Sequence, residues 1–436
     1  MRRKGIVAIV GRPNTGKSSL FNRVIREKKS IVEDLPGVTR DRIYGSAEWL
    51  TRQFIIVDTG GITLEDQPFA KEIKMQAEIA MEEADVIVFL LNHQEGLREE
   101  DKVIARMLYK TKKPIIVAVN KYDKKGLETD AYEYMSLGLG EPIMTSSTHG
   151  IGIGDLLDKI IHEMPKIEDR VEDDRTRLAI IGKPNVGKSS LVNSLVGEDR
   201  MIVSDVAGTT LDAVDSEIQV NNKKYTLIDT AGIRRKGKIF QNVEKYSYLR
   251  SLTTINSADI VLLMIDASLP ITDQDTNIGG LAFEERKPII IVANKWDLVS
   301  NKEKEILKKE EEIRGWFKYL QYAQILFISA HDKTRIGKIF DAVDHIKEGL
   351  DKKIKTSVFN EVLNRAQLIN PAPNHNGGRL KIYYGSQVEA YLPTFVMFVN
   401  NPTYVHFSYK RFLENQIRLQ FGFEGVPISL IFRERK

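Results

Sequence analysis

A glycine-rich segment that occurs twice constrains the fold of this chain more than any other feature. Residues 11–20 read GRPNTGKSSL and residues 182–191 read GKPNVGKSSL. Each copy follows a short apolar run and precedes a stretch with helical apolar periodicity, so the expected local order is strand, loop, helix. In that context the spacing G-x-x-x-x-G-K-S is the signature of a phosphate-binding P-loop. The sequence therefore predicts two phosphate-binding sites.

Each P-loop supplies several kinds of ligand. Its glycines let the backbone approach the phosphates closely, and its N–H groups and the following helix N-terminus supply partial positive charge. The lysine adds a full charge near the β- and γ-phosphates, and the first serine offers a hydroxyl to Mg²⁺. The candidate binding residues are Gly11, Asn14, Gly16, Lys17, Ser18 and Ser19 in the first copy, and Gly182, Asn185, Gly187, Lys188, Ser189 and Ser190 in the second.

A second motif begins 47 residues after the first glycine of each P-loop. It reads Asp58-Thr59-Gly60-Gly61 in the first copy and Asp229-Thr230-Ala231-Gly232 in the second. Because each aspartate ends an apolar strand, its carboxylate is expected beside the P-loop, where it can hold Mg²⁺ through water. The closing glycines, Gly61 and Gly232, can sense the γ-phosphate through their backbone N–H groups.

Two threonines keep the spacing of the P-loops. Thr39, in PGVTRD, and Thr210, in AGTTLD, lie 171 residues apart. Each fits a switch threonine whose hydroxyl completes the Mg²⁺ shell while the third phosphate is present. The predicted Mg²⁺ ligands are Ser18, Thr39, Asp58, Ser189, Thr210 and Asp229, and the predicted catalytic residues are Lys17, Thr39, Lys188 and Thr210.

A third pair of motifs selects the base. Asn120-Lys121-Tyr122-Asp123 and Asn294-Lys295-Trp296-Asp297 each follow an apolar strand. A carboxylate can accept hydrogen bonds from both N1–H and the 2-amino group of guanine, a donor pair that adenine lacks. The lysine stem can lie against the base, and the asparagine is expected to tie this loop to the P-loop. Ser146 in the first copy, and Ser329 and Ala330 in the second, are expected to bring a backbone N–H to the guanine oxygen.

Length and composition place these motifs in a soluble chain of about three domains. The 436 residues contain no cysteine, which excludes disulfides and thiolate metal sites, and no apolar run of 18 residues, which argues against a membrane-spanning helix. We expect a cytoplasmic protein. Strand patterns alternate with helical ones in both copies, which predicts α/β domains at 1–164 and 178–350 with an acidic linker at 165–177.

Residues 351–436 form a third, basic region. They contain 12 Lys and Arg against 6 Asp and Glu, while residues 1–350 sum to −2. This charge favours nucleic acid as a partner, although solvated surface lysines explain it equally well. The patterns predict a small α+β domain. Its expected elements are helices at 357–368 and 408–421, strands at 379–384, 394–399 and 426–432, and a loop at 370–378.

Together these motifs resemble the Ras-like class of P-loop GTPases. Two such domains followed by a small α+β module resemble one family of that class, the bacterial tandem GTPases EngA, also called Der. The resemblance covers essentially the whole chain, including VEKYS at 243–247, FVNNPTYVHFSYKRFLENQIR at 398–418 and FGFEGVPI at 421–428. It implies bound GTP or GDP with Mg²⁺, a K-homology-like C-terminal domain, and a role in maturing the large (50S) ribosomal subunit. The expected partner is then rRNA, with neither membrane nor DNA.

Two details bear on the mechanism. Ras-like enzymes usually place a glutamine after the D-x-x-G motif to orient the attacking water, whereas this sequence has Ile62 and Ile233. Slow intrinsic hydrolysis is therefore expected. Asn14 and Asn185 resemble the P-loop asparagines of GTPases that bind K⁺ against the phosphates, where the cation replaces an arginine finger. A turn-stabilising amide is the alternative for both asparagines.

The C-terminal region departs from K-homology domains that bind RNA, which clamp the nucleic-acid backbone with a G-x-x-G loop between two helices. The G-x-x-G of this region, at 422–425, is expected to be a turn between a helix and a strand. RNA contacts would then come from basic side chains, or the module would serve mainly as a docking surface for the GTPase domains. The basic candidates are Lys352, Lys353, Lys355, Arg379, Lys381, Lys410 and Arg411.

Two alternatives to a nucleotide-controlled switch stay open. An RNA-binding scaffold with largely structural GTP would fit the slow hydrolysis expected from the isoleucines, and turnover measurements separate it from an enzyme. A tRNA-modification GTPase with the same asparagine-bearing P-loop would carry a single GTPase domain, and the duplication opposes it.

Overall fold

The computed structural model describes residues 4–26, 44–50, 52–61, 77, 78, 80–123, 130–165, 175–196, 215–228, 244–300 and 302–435. The chain divides into two compact units, one formed by residues 2–173 and 237–256 and the other by residues 174–236 and 257–436. Across the described residues, no helix combines the length and apolar character needed to cross a membrane.

The first P-loop belongs to a six-stranded sheet of order β2-β3-β1-β4-β5-β6, in which only β2 runs antiparallel to its neighbour. In chain order the elements are β1 (Gly5–Val10), α1 (Lys17–Arg26), β2 (Tyr44–Trp49), β3 (Arg52–Asp58), β4 (Val86–Asn92), α2 (Glu99–Leu108), β5 (Ile115–Asn120), α3 (Asp130–Met135), β6 (Ile143–Met144) and α4 (Ile153–Glu163).

The second P-loop belongs to a sheet of the same topology, β8-β9-β7-β10-β11-β12. The elements are β7 (Thr176–Ile181), α5 (Lys188–Val196), β8 (Ser216–Val220), β9 (Lys223–Ile228), α6 (Glu244–Ser257), β10 (Ile260–Asp266), α7 (Asp273–Glu284), β11 (Ile289–Asn294), α8 (Lys302–Trp316), β12 (Gln324–Phe327) and α9 (Lys338–Asp351). The predicted α/β duplication is confirmed.

Burial explains why the central strands read as unbroken apolar runs. Every residue of β4, β10 and β11 is buried, as expected for parallel strands covered on both faces. Ligands bind such sheets at the carboxyl ends of the strands. The P-loops follow β1 and β7, and the base-selecting loops follow β5 and β11, so each site gathers at one edge of its sheet.

The C-terminal region is a small α+β domain built on a three-stranded sheet, as predicted. Its strands β15 and β16 are antiparallel, and β17 runs parallel to β16. The rings of Phe359 and Phe395 stack at 4.7 Å in its core. The elements are α10 (Thr356–Ile369), β13 (Asn374–His375), β14 (Gly378–Arg379), β15 (Ile382–Val388), β16 (Thr394–Val399), α11 (Phe407–Phe421) and β17 (Ser429–Glu434).

Three expectations for this region need correction. The predicted loop at 370–378 contains β13 and, with Arg379, pairs into a short hairpin, so the strand expected at 379–384 begins only at Ile382. The last strand begins at Ser429 rather than residue 426. The physical reason is that the carbonyl of Val426 accepts from Arg418 Nη1 at 2.8 Å, in a turn that precedes the strand.

That turn contains the G-x-x-G at 422–425, and it docks on the second sheet. Gly425 donates its N–H to the carbonyl of Tyr322 at 2.6 Å and accepts from the N–H of Ile289 at 3.0 Å. The guanidinium of Arg418 lies 4.8 Å from the Tyr322 ring centroid. One cluster of buried apolar residues includes both the second sheet and the C-terminal sheet. The backbone of this G-x-x-G turn is therefore engaged in contacts with the second sheet of the same chain.

Gly425→Ala is expected to loosen this docking. Gly425 has φ +74°, and an added Cβ would lie 2.6 Å from Ile346 Cγ1. Strain at positive φ costs about 1–3 kcal/mol and overpacking a further ~1–3 kcal/mol. Gly377→Ala is the matched control, since Gly377 has φ +86° but no atom within 4 Å of its Cβ position. Faster amide hydrogen exchange in β11 and β17 for Gly425→Ala alone is the expected result; equal exchange in both variants would contradict it.

Candidate functional site

The P-loop lysines adopt the same geometry in both copies. Lys17 Nζ donates to the carbonyls of Gly11 and Arg12 at 2.7 and 2.9 Å. Lys188 Nζ donates to the carbonyls of Gly182 and Lys183 at 2.7 and 2.8 Å. Each loop therefore curls around an ammonium group, which places a full positive charge beside the backbone N–H groups of the loop.

The last glycine of each P-loop is required by close approach. Gly16 has φ +91°, and a Cβ there would lie 2.4 Å from Asn120 Nδ2. Gly187 has φ +100°, and a Cβ there would lie 2.2 Å from Asn294 Nδ2. No other residue leaves room for the amide that crosses the loop at this point, so the glycine is set by packing as well as by phosphate access.

The structure brings two of the three candidate Mg²⁺ ligands of the first copy, Ser18 and Asp58, together. Ser18 Oγ donates to Asp58 Oδ2 at 2.6 Å, and the N–H of Gly60 donates to Asp58 Oδ1 at 2.9 Å. A hydroxyl and a carboxylate are the oxygen ligands that Mg²⁺ uses. Gly61 lies in the 3₁₀ turn that follows Asp58, and Ser19 is exposed in the first turn of α1. This donor set fits Mg²⁺ beside the phosphates.

Part of the predicted set lies outside the described residues, namely Thr39, Thr210, Asp229 and Gly232. In the second copy the structure therefore describes the P-loop alone at this position. Ser189 and Ser190 lie exposed in the first turn of α5, at the positions that Ser18 and Ser19 occupy in α1. The same prediction of Mg²⁺ binding thus applies to the second copy through its serine.

The first base-selecting loop is tied to the P-loop by one side chain. Asn120 Nδ2 donates to the carbonyl of Thr15 at 2.8 Å, while its Oδ1 accepts from the N–H of Ser147 at 2.9 Å. Asp123 accepts from Ser146 Oγ at 2.7 Å, which orients its carboxylate. The sequence motifs contained Asn120 and Asp123, but nothing in them singled out Thr15 as the partner of Asn120.

The second loop repeats this connection. Asn294 Nδ2 donates to the carbonyl of Val186 at 2.8 Å, and its Oδ1 accepts from the N–H of Ala330 at 2.9 Å. Among the described residues, Asp297 Oδ1 is buried without a hydrogen-bond partner. A buried acceptor of this kind is costly unless a ligand satisfies it, and the N–H groups of guanine would do so.

The backbone N–H groups that are expected to contact the base make hydrogen bonds within the protein in this structure. The N–H of Ser146 donates to the carbonyl of Ile151 at 2.9 Å, and that of Ser329 donates to Thr334 at 3.1 Å. The N–H of Ala330 is taken by Asn294. The N–H groups of Ser146 and Ser329 are bonded in this way because each segment closes a tight bridge after its strand. Contact of these residues with the base stays a prediction.

A buried ion pair behind each P-loop was missed by sequence reasoning. Arg12 Nη1 donates to Glu95 Oε2 at 2.6 Å and its Nε to Asp101 Oδ2 at 3.1 Å. Burial opposes the charge on Arg12, but the hydrogen bonds and charges of these two carboxylates raise its pKa. In the second copy Lys183 Nζ pairs with Asp275 Oδ2 at 2.8 Å. The available signal was a basic residue directly after the first glycine of both P-loops.

Each buried aspartate also caps the start of a helix, from the third position of that helix. Asp101 Oδ2 accepts from the N–H of Arg98 at 3.1 Å, and Asp275 Oδ2 accepts from the N–H of Thr272 at 3.0 Å. These are the reach-back bonds of a helix capping box. The ion pair therefore couples the second residue of the P-loop to the start of α2 or α7.

The basic candidates of the C-terminal domain lie at two ends of it. Lys352 Nζ donates to the carbonyl of Phe421, at the end of α11, whereas Lys410 and Arg411 lie near its beginning. The second end also holds Lys381, whose Nζ lies 5.4 Å from the Tyr383 ring centroid. Lys353 and Lys355 follow Lys352 in the chain, and Arg379 adjoins Lys381, since Asn400 bonds both of their main chains.

Arg12→Met is expected to lower the free energy of unfolding of the domain that contains the first sheet by about 3–5 kcal/mol, because it leaves the Asp101 carboxylate buried without a compensating charge. Adding Asp101→Asn should recover part of the loss. Lys183→Met is the matched variant of the second copy. Denaturant unfolding followed by Trp49 fluorescence, in a Trp296→Phe/Trp316→Phe background, measures the first effect. A double variant less stable than Arg12→Met would contradict the explanation.

The family described as "50S ribosome-binding GTPase" matches residues 6–121 and 177–295, and the "KH-domain-like of EngA bacterial GTPase enzymes, C-terminal" matches residues 353–433. A protein of Mesoplasma florum named GTPase Der is 82% identical over 100% of both chains, and one of Staphylococcus aureus with the same name is 53% identical over 99% of both.

Among solved structures, Era from Aquifex aeolicus bound to GDP.AlF4⁻ is 24% identical, with a TM-score of 0.31 over 57% of this chain and 88% of that one. The family models and the full-length relatives are sufficient by themselves: the chain belongs to the EngA family of bacterial GTPases, whose curated members are named GTPase Der.

Proposed function

We propose that this chain binds and hydrolyses GTP at two sites and acts as a nucleotide-controlled switch in the assembly or maturation of the large (50S) ribosomal subunit. The observation that carries the nucleotide part is the duplicated connection of P-loop to base-selecting loop through Asn120 and Asn294. The ribosomal part is supported by the description of the family that matches both α/β domains. The proposed location is the cytoplasm.

Guanine selectivity is proposed to reside in Asp123 and Asp297. The unpartnered, buried Oδ1 of Asp297 supports this assignment, since N1–H and the 2-amino group of guanine would satisfy it. Adenine would leave the acceptor unpaired, which is the strongest form of discrimination available to a polar site.

Hydrolysis is proposed to proceed by attack of water on the γ-phosphorus. The bond from that phosphorus to the oxygen bridging to the β-phosphate breaks, its electron pair stays on GDP, and the proton of water ends on the released phosphate. Lys17 and Lys188 would exchange their carbonyl partners for the phosphates. The serine and threonine of each site, with the aspartate through water, would hold Mg²⁺, and the ion would supply electrostatic stabilisation of the developing charge.

The residues after the D-x-x-G motifs give no help to the attacking water. Ile62 and Ile233, outside the described residues, have no group that can hydrogen-bond it. We therefore propose that a K⁺ ion beside Asn14 and Asn185 stabilises the transition state. Both asparagines have a left-handed backbone, with φ +64° and +66°, so the two loops share the same local conformation at this position.

Turnover is expected to be faster in K⁺ than in Na⁺ at equal ionic strength, because the proposed cation that stabilises the transition state is K⁺. Asn14→Gly and Asn185→Gly are suitable variants, since glycine tolerates the positive φ while removing the amide. They should lose most of the K⁺ stimulation and retain nucleotide binding. Equal rates in the two salts, or full stimulation in the glycine variants, would rule out the cation.

The proposed parts of the switch are the domains 1–164, 178–350 and 351–436, with the linker at 165–177. The boundary before the second domain lies within two residues of Thr176, where β7 begins. Population shift is the proposed logic: GTP favours one arrangement through contacts that only the triphosphate makes. rRNA contact is proposed for the basic ends of the C-terminal domain, since its G-x-x-G turn is docked on the second sheet.

Co-sedimentation with 50S subunits in GDP, GTP and a non-hydrolysable GTP analogue tests the switch. Binding should depend on the analogue and be lost in Lys17→Ala or Lys188→Ala. Binding that ignores the nucleotide would favour the alternative of an RNA-binding scaffold with structural GTP. Absence of binding would remove the ribosome from the proposal while leaving the GTPase sites untouched.

A further inference from the structure

The strand that ends beside each base-selecting loop carries a different residue in the two copies. Asn92 ends β4 and pairs in register with Asn120, and Asp266 ends β10 and pairs in register with Asn294. The two positions are equivalent, and both side chains are buried, at 0% and 5% exposure. An amide and a carboxylate of nearly equal size therefore occupy the same place in two otherwise parallel sites.

In the first site the amide reaches the P-loop. Asn92 Nδ2 donates to the carbonyl of Asn14 at 3.2 Å and to Glu95 Oε1 at 2.8 Å, while its Oδ1 accepts from the N–H of Gln94 at 3.0 Å. Glu95 also holds Arg12. Asn92 thus joins the P-loop to the carboxylate that anchors it, at the residue proposed to face K⁺.

In the second site the carboxylate reaches the base-selecting loop. Asp266 Oδ2 accepts from Lys295 Nζ at 2.6 Å, and its Oδ1 accepts from the N–H and Oγ of Ser268 at 3.0 and 2.6 Å. Burial opposes ionisation, but these hydrogen bonds keep the pKa of Asp266 below its usual range. Since a carboxylate has no hydrogen to donate, it cannot hold the carbonyl of Asn185 as Asn92 holds that of Asn14.

The lysines of the two base-selecting loops, Lys121 and Lys295, differ in their contacts accordingly. Lys295 and Lys121 share a left-handed backbone, with φ +61° and +65°. Lys295 is fixed by Asp266, whereas within the described part of the chain no carboxylate lies within ion-pair distance of Lys121. Lys121 acts on Glu95 only at longer range, as a minor contributor to the lowered pKa of that carboxylate.

We infer that the residue that ends β4 or β10 determines which part of each nucleotide site is positioned before the nucleotide binds. In the second site Asp266 positions Lys295 for the base. In the first site Asn92 positions the P-loop for the phosphates. Asp266 and Asn92 are positioning residues, because they act through Lys295 and Asn14. This inference rests on the proposed function, which assigns those two residues their contacts with the nucleotide. The two nucleotide sites are then inequivalent, because a different part of each one is positioned before binding.

The test measures release of methylanthraniloyl-GDP from each site of the full-length chain. Lys17→Ala silences the first site and Lys188→Ala the second. With the first site silenced, Asp266→Asn should speed release by roughly tenfold, the scale of one lost hydrogen bond to a charged group. The amide keeps the shape and can still accept from Ser268. In the Lys188→Ala background the same substitution should change nothing.

The reciprocal variant tests the first site. Asn92→Asp removes the donor to Asn14 and places a second carboxylate beside Glu95, so release from the first site should speed up while release from the second stays constant. Each of the two substitutions should therefore speed release from its own site and leave the release rate of the other site unchanged; an unchanged rate at the first site in Asn92→Asp would contradict the inference.

A double-mutant cycle separates positioning from a general loss of stability. Asp266→Asn should add nothing to the release rate of Lys295→Met if it acts through that lysine. Additive effects of the two substitutions on the release rate would overturn the inference. So would a release rate that Asp266→Asn alone leaves unchanged, whether or not its melting temperature falls. Failure of the proposed function itself would appear differently, as no binding of methylanthraniloyl-GDP by the unsubstituted chain.

Discussion

An amide that donates and accepts at the same time holds each nucleotide site together. Asn120 and Asn294 each cross from the base-selecting loop to a P-loop carbonyl and receive an N–H from the segment after the next strand. Of the side chains of that size, only an amide can make both bonds. The same asparagine thereby connects three loops that are distant in sequence. Gly16 and Gly187 leave room for its side chain, since a Cβ at either position would clash with the amide.

The two sites are built on one scaffold but stabilised by different polar contacts. Arg12 uses two carboxylates where Lys183 uses one, and Asn92 reaches the phosphate side where Asp266 reaches the base side. Arg12, Asn92 and Asp266, together with the aspartates that pair with Arg12 and Lys183, are buried, so each change of charge among them must be matched by its neighbours. The two copies therefore differ in whole groups of interacting residues as well as at single positions.

The motifs with fixed spacing were predictable because their chemistry demands particular residue types: the P-loops, the D-x-x-G segments and the base-selecting loops. The central strands were predictable from their apolar runs. The C-terminal boundaries were less so. The hairpin at 374–379 and the late start of β17 depend on pairing and on the hydrogen bond from Arg418, neither of which leaves a periodic signal.

By itself, the sequence determined the duplication, the α/β class, the phosphate and guanine motifs and the family, because these depend on local spacing and on patterns that repeat. Only the tertiary structure decided that the N–H groups of Ser146 and Ser329 are used within the protein, that the turn at 422–425 docks on the second sheet, and that Asp266 binds Lys295. Each of these depends on which polar groups meet in three dimensions, and burial makes every such meeting specific.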